Sequence, residues 1–421
     1  MIRLTAGLVF IRSMETLQVV REIAAPFAES FYYPTAGSQE SAPADPWRPD
    51  LAKGKKDLYP QVMRILYFTS STNRSGGGRQ ALYLARGMEG RGHSVSFFLP
   101  ERSRLSHLDQ DWAGWRRLGP PAAWRSALED EIYCPGGPTV VHAFHNTAVK
   151  RLAWWGIFWK RRAACVAHRG VLFRPANPLP YWSPGIDCFA VNSAACGQVL
   201  RRVGLPARRI RLVPNAIPDE RLSTSRPREQ ARAALGLAPE DLAFGSIANS
   251  SPIKGVNILL NAFARAFPSQ ESTGRSVRLL IKGLKQADAG EQHSSLAART
   301  VFLPWGNDVA DFLSALDIFV LPSLSESMPN TLLEAVRMGL PAIGSAVGAV
   351  PEILAACGRL VPPGNVEALA LAMRNLAEDP ALVARYGAAA RLQGENYRQE
   401  KRLDRMDALY TELLRKKGLL A

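Results

Sequence analysis

Cysteine is scarce in this chain. Five thiols, at Cys134, Cys165, Cys188, Cys196 and Cys357, are spread over 421 residues. They form no CxxC pair and no metal-type spacing, which argues against a disulfide framework or a zinc finger. The plain expectation is a reduced, cytoplasmic protein with buried thiols. Long apolar runs are also missing: nothing approaches the roughly 18–20 residues that cross a bilayer. The run from Leu4 to Ile11, between Arg3 and Arg12, is too short to span and lacks a small-residue cleavage site. Neither GxGxxG nor a glycine-rich loop ending in Gly-Lys-Ser/Thr occurs, which speaks against a nicotinamide oxidoreductase and a P-loop enzyme. The only Asp-x-Asp is Asp109 to Asp111.

Acidic residues are in deficit, 37 Asp and Glu against 52 Lys and Arg, for a net charge of +15. Three explanations compete: a GC-rich genome that substitutes Arg freely, contact with an anionic membrane or lipid-linked acceptor, and nucleic acid. The last finds no support, because there is no zinc finger, RNP-type aromatic motif or dense basic run. The 47% hydrophobic and 21% charged composition is that of an ordinary globular protein. The length suits two or three domains of about 150 residues.

Residues 1–62 differ from the rest of the chain, with a Ser/Gly/Ala/Pro/Asp stretch at 35–50 and Lys53, Lys55 and Lys56. They are expected to be either a loosely ordered extension or a stretch upstream of a natural start at Met63. From 63 to about 215, strand and helix patterns alternate. Strands are expected at 64–69, 94–99, 139–143, 163–167, 187–191 and 210–213, and helices at 79–91 and 193–203. The alternation resumes with strands at 242–248, 277–282, 299–303, 317–321, 341–344 and 359–361. This implies two parallel α/β sheets covered by helices. Residues 214–230, rich in Pro, Ser and charge, read as an interdomain hinge. The expected division is an extension 1–62, domains 63–215 and 216–399, and a terminal helix 400–421. Ligands of open α/β sheets bind at the carboxyl ends of the strands.

Residues 318–353, IFVLPSLSESMPNTLLEAVRMGLPAIGSAVGAVPEI, carry the most chemistry. A strand ends at Pro322-Ser323, and the following loop holds Glu326. Pro329, Asn330 and Thr331 open a helix that carries Glu334, and Gly339 closes it. Helix-start amides can hold phosphates, and carboxylates can accept hydrogen bonds from sugar hydroxyls. The segment resembles the donor-site signature of retaining glycosyltransferases of family four (group 1), which have the GT-B fold. Their two glutamates are separated by seven residues, as Glu326 and Glu334 are.

That resemblance implies two facing Rossmann-like domains, with the N-terminal one binding the acceptor and the C-terminal one a nucleotide diphosphate sugar. The terminal helix would cross back onto the first domain. The resemblance assigns Glu334 to the ribose and Glu326 to the donor sugar. Lys254 and the helix start at Pro329, Asn330 and Thr331 would hold the diphosphate. The glycine-rich loop with Gly77 and Gly78 would cover the cleft, and His168 would contact the transferred sugar. His142 and His145 look like the family's histidine-containing strand end. The family pairs its lysine with an arginine five residues earlier, but here that position is Asn249. Either Lys254 and backbone suffice, Lys282 compensates, or donor binding is weak. Ala216 and Ser327 stand where glycine is usual.

The segment 150–162, KRLAWWGIFWKRR, sets Trp154, Trp155 and Trp159 between basic ends that include Arg161 and Arg162. It packs on the sheet or meets a membrane or acceptor. The implied reaction is sugar transfer, with retention and without a metal or other cofactor, to a glycan or lipid-linked acceptor in cell-envelope polysaccharide or lipopolysaccharide synthesis. The enzyme would act in the cytoplasm, on the inner face of the membrane if it binds one. The alternatives are a non-catalytic sugar- or membrane-binding scaffold of the same fold, or an epimerase or phosphorylase.

Overall fold

The structure is a computed structural model that describes residues 62–268, 276–285 and 296–420. The extension expected over 1–62 therefore lies outside the described residues except at Val62. Seven strands form the first sheet: β1 Arg64–Thr69, β2 Ser94–Pro100, β3 Trp115–Leu118, β4 Thr139–Phe144, β5 Ala163–Arg169, β6 Cys188–Val191 and β7 Ile210–Leu212. Their order is β3-β2-β1-β4-β5-β6-β7. Six form the second: β8 Leu242–Ile247, β9 Val277–Lys282, β10 Thr300–Leu303, β11 Ile318–Leu321, β12 Ala342–Ser345 and β13 Gly358–Val361, in the order β10-β9-β8-β11-β12-β13. Every pairing is parallel.

All twelve anticipated strands are present. β3 was not anticipated, because WRRL has neither an apolar run nor alternation. Its Arg116 and Arg117 face solvent on the sheet's edge, where charge discourages pairing with another chain. The central strands are buried along almost their whole length, as parallel strands covered on both faces must be. Each sheet thus separates two apolar clusters.

The terminal helix Gln399–Lys416 packs on the first sheet, not the second. Leu403, Met406, Leu409, Tyr410, Leu413 and Leu414 enter the cluster built on Ile65, Tyr67 and Phe97. Each leucine buried this way contributes about 1.5–3 kcal/mol. Arg91 and His93 reach its Asp407. Buried Arg402 donates to the backbone and side-chain carbonyls of Gln80, at 2.9 and 2.8 Å.

The chain passes between the lobes twice, and the two passages are bonded: the Ile217 amide donates to the Tyr397 carbonyl at 3.0 Å. Gln80 clamps the first passage, donating to the Ala216 carbonyl at 2.9 Å and accepting from its amide at 3.2 Å. The segment 214–230 is more constrained than a linker. Arg221 binds Glu334, Arg226 binds Asp311, and Arg228, which begins the helix Arg228–Ala234, binds Asp317.

Candidate functional site

The loops of the second lobe gather at the carboxyl ends of β8 and β11. After β8, a short turn places Lys254 before Gly255, whose φ of +67° opens the helix Val256–Ala266. A Cβ at Gly255 would lie 2.1 Å from the Pro322 carbonyl oxygen, so only glycine lets the two loops meet. The Leu324 amide donates to the Ile253 carbonyl at 2.7 Å. This contact brings Lys254 Nζ to 2.7 Å from Glu326 Oε1, which also accepts from Ser323 Oγ at 2.9 Å. The turn after β12 presses on the same loop. The Ala349 amide donates to the Ser327 carbonyl, and Gly348, at φ +54°, approaches the Glu326 backbone too closely for any side chain. Glu326 is therefore held by a cation, a hydroxyl and a packed loop.

Pro329 caps the helix Asn330–Arg337, and Gly339 follows it at φ +77°. Its face of Leu332, Leu333, Ala335 and Val336 is buried, which fixes Glu334 one turn from the start. Glu334 is itself buried and bound by Arg221, Nε to Oε1 at 2.8 Å. Thr331 lies beside Asn330 in the helix's first turn. Asn249 is exposed, and its side-chain oxygen accepts from the Ser251 amide at 3.2 Å, so it shapes the loop before Lys254. Lys282, at the end of β9, is buried and paired with Asp308 at 2.8 Å.

The first lobe's contribution starts from the glycines. The sequence reads as a glycine-rich loop opening a helix at 79, and in the structure Gly76, Gly77 and Gly78 are themselves the first turn of the helix Gly76–Gly90. The Gly78 amide donates to the capping hydroxyl of Ser75 at 3.1 Å. His145 lies against this turn. Its Nδ1 is 2.7 Å from Thr69 Oγ1 and its Nε2 3.5 Å from Ser75 Oγ. Its φ of +68° is unique among the non-glycine described residues, and strained backbone of this kind collects at functional sites.

His168 and His142 sit deeper, with ring centroids 6.0 Å apart and the Phe144 ring 5.0 and 4.4 Å from them, respectively. His142 is enclosed and bonds Tyr410 Oη at 2.6 Å, which makes it part of the core. Desolvation, aided by the Arg402 charge, drives His168 down to about 3 and lowers His142 well below the usual imidazole range. Both are neutral. His168 is not fully enclosed.

Two helix N-termini meet between the lobes. Asn330 Nδ2 donates to the Gly76 carbonyl at 3.2 Å, joining the first turn of one helix to the first turn of the other. Asn215 Nδ2, on the passage, donates to Asn330 Oδ1 at 3.0 Å. Both helices direct first-turn amides and the positive ends of their dipoles to one place. Such a place is suited to a polyanion. Sequence reading attached no function to Gln80 or Arg221. Gln80 reads as an ordinary helix residue, and Arg221 is 113 positions from its partner.

The tryptophans of the helix Asn146–Trp159 separate by depth. Trp159 is fully buried and donates to Glu129 at 2.9 Å, which corrects its expected place at a surface: its Nε1 needs a partner inside the core. Trp155 is half-buried against Phe68 and Trp159. Trp154 is 53% exposed. Arg161 and Arg162 follow the helix and are exposed. Among the described residues, no group of three His, Cys, Asp or Glu side chains is placed to hold a metal ion, and no helix is long and apolar enough to cross a membrane.

Two family models match. One, described as "Glycosyltransferase Family 4", covers residues 74–221, and the other, "Glycosyl transferases group 1", covers 239–379. A D-inositol 3-phosphate glycosyltransferase from Rhodococcus opacus is 32% identical over 49% of this chain and 49% of its own. An N-acetyl-alpha-D-glucosaminyl L-malate synthase from Bacillus anthracis is 28% identical over 50% of this chain and 55% of its own. The chain spans about half the length of the curated relatives it matches. Anabaena HepE, solved in complex with UDP, superposes with a TM-score of 0.73 at 18% identity, covering 83% of this chain and all of that one, a likeness of fold.

Proposed function

We propose, from the premise that the chain belongs to the group 1 (family 4) glycosyltransferases and has the GT-B fold, that it transfers a sugar from a nucleotide diphosphate sugar to a glycan or lipid-linked acceptor. The observation that carries this reading is the meeting of the helix starts at Gly76 and Asn330, with Lys254 bound to Glu326 on the loop that leads into Asn330. A leaving diphosphate gains negative charge as the sugar departs, and preorganised amides and a lysine stabilise it without reorganising.

In this reading the Asn330 and Thr331 amides, with the Gly77 amide opposite, hold the phosphates; the Gly78 amide stays with the Ser75 cap, and Pro329 sets the helix start. Lys254 exchanges Glu326 for the β-phosphate. Glu326, held by Ser323, then accepts hydroxyl hydrogen bonds from the donor sugar. Glu334 accepts from the ribose once Arg221 yields one of its oxygens. Neutral His168 borders the transferred sugar as a hydrogen-bonding group. The chemistry needs no protein nucleophile, and retention follows from attack on the face the diphosphate leaves. Lysine and amides do the work a metal would otherwise do. The setting is cell-envelope polysaccharide or lipopolysaccharide synthesis.

Relatives named for an inositol 3-phosphate and for malate favour a second acceptor class, a small soluble anion. A non-catalytic scaffold draws on Asn249, whose oxygen is committed to its own loop. An epimerase or phosphorylase acts on the donor without a glycan acceptor.

The test is a thermal-shift screen of UDP-, GDP- and ADP-sugars, followed by product analysis. A millimolar ligand binding with about 10 μM affinity raises stability by roughly 2.7 kcal/mol. No shift with any of them sinks the assignment. A shift without transfer or hydrolysis, unchanged in Asn249→Arg, selects the scaffold.

A further inference from the structure

One layer of the first lobe carries an exposed apolar strip, with the Arg125 guanidinium over its Phe158 ring and Arg169 over Phe173. On the helix Asn146–Trp159, the buried side is Ala148, Val149, Leu152, Ala153, Gly156 and Trp159. The opposite side presents Trp154, Ile157 and Phe158 at 53%, 37% and 63% exposure. Their spacing puts them on one stripe, which Lys150 precedes and Arg161 continues, both exposed.

The short helix Leu179–Trp182 lies alongside. Ser183 Oγ bonds the Ala153 carbonyl, and a Cβ on Gly185 would strike the same carbonyl at 2.3 Å, so the two segments are in backbone contact. This second segment adds exposed Leu179 and Trp182. The strip continues toward the cleft through exposed Phe173, whose carbonyl is bound by Arg169, the residue after His168.

The charge around the strip has one sign. From 146 to 212 every charged residue but one is basic, Lys150, Lys160, Arg161, Arg162 and Arg174 among them, and the only acid is Asp187, which is engaged by Lys417. Nearby acids on the helix Trp124–Tyr133 are Glu129, bound to Arg125 and Trp159, Glu131, bound to Arg116, and exposed Asp130. Aromatic and aliphatic side chains ringed by uncompensated arginine match the boundary of a bilayer, with rings at the acyl edge and guanidinium groups at headgroup phosphates.

We propose that this face docks the lobe on an anionic lipid bilayer and turns the cleft mouth at His168 and Phe173 toward it. The docking stands on the surface alone. That it delivers a lipid-linked acceptor rests on the transferase reading above, and selects that acceptor over a small soluble one.

The experiment is co-sedimentation of the full chain with phosphatidylglycerol-containing and pure phosphatidylcholine vesicles. Binding is expected to the first only, weakened by 0.5 M salt. Arg161→Gln with Arg162→Gln should lose about thirtyfold in partitioning, taking roughly 1 kcal/mol per basic residue. Trp154→Ala with Phe158→Ala should lose binding while melting at the parental temperature, because both side chains are exposed. Nucleotide-sugar thermal shifts must persist in both variants, which separates failure of this proposal from failure of the transferase reading. Equal binding to neutral vesicles, no binding, or unchanged binding in the variants overturns it. A dimer in sedimentation velocity that Trp154→Ala with Phe158→Ala dissociates would overturn it too, by giving the face to a second copy.

Discussion

Ser327 Oγ donates to Asn192 Oδ1 at 2.7 Å, joining the loop after Glu326 to the strand-end loop of the other lobe, and lies 2.9 Å from Cys196 Sγ. The usual glycine at this position could make neither contact. In the proposed reading, Ser327 couples the Glu326 loop to closure of the lobes. Ser327→Ala should raise the donor KM about fivefold, the equivalent of one hydrogen bond of about 1 kcal/mol, and should change kcat less. Steady-state kinetics check this, and an unchanged KM would leave the contact with no part in closure.

Lys254 and Asn249 make a paired prediction. Lys254→Met removes the cation from Glu326 and should weaken nucleotide-sugar binding about a hundredfold, the scale of a charge-assisted contact of 1.5–3 kcal/mol. Asn249→Arg adds a charge on the same loop and should strengthen binding about tenfold. Calorimetric titration with the donor found in screening measures both. Weaker binding in Asn249→Arg would show that the loop turn made by Asn249 outweighs the added charge.

Gly255→Ala should destabilise the second lobe by about 2–3 kcal/mol, since it combines a strained φ with a backbone collision at Pro322. Gly90→Ala, in open space at a helix end, is the control and should change stability by less than about 1 kcal/mol. Urea denaturation separates the two.

Acid should unfold this protein through its buried imidazoles. His142 and His168 are held neutral mainly by desolvation, with folded-state values below the unfolded 6.5. The unfolded chain therefore binds more protons than the folded one below pH 6.5, and stability is lost as pH falls from there toward the folded values. The loss grows as pH falls from 6.5 toward the folded values, about 3 for His168. His142→Gln should flatten this acid limb in melts between pH 7 and pH 4. A limb of undiminished steepness would assign acid sensitivity elsewhere.

The sequence determined a good deal unaided. Apolar runs at regular intervals located twelve strands, because central parallel strands need hydrophobic side chains on both faces. Pro329, Glu334 and Gly339 marked a helix start, body and end, because capping chemistry is local. The edge strand at Trp115–Leu118 escaped, since solvent on one side removes the apolar signal.

Tertiary structure alone decided which distant groups meet. Arg221 with Glu334, Gln80 with Ala216, Gly76 with Asn330 and Ser327 with Asn192 are separated by more than a hundred residues, and no spacing rule reaches so far. It also decided depth. Three tryptophans within six residues read alike, yet Trp159 is core, Trp155 lies between and Trp154 faces outward, because helix phase against one particular sheet sets burial.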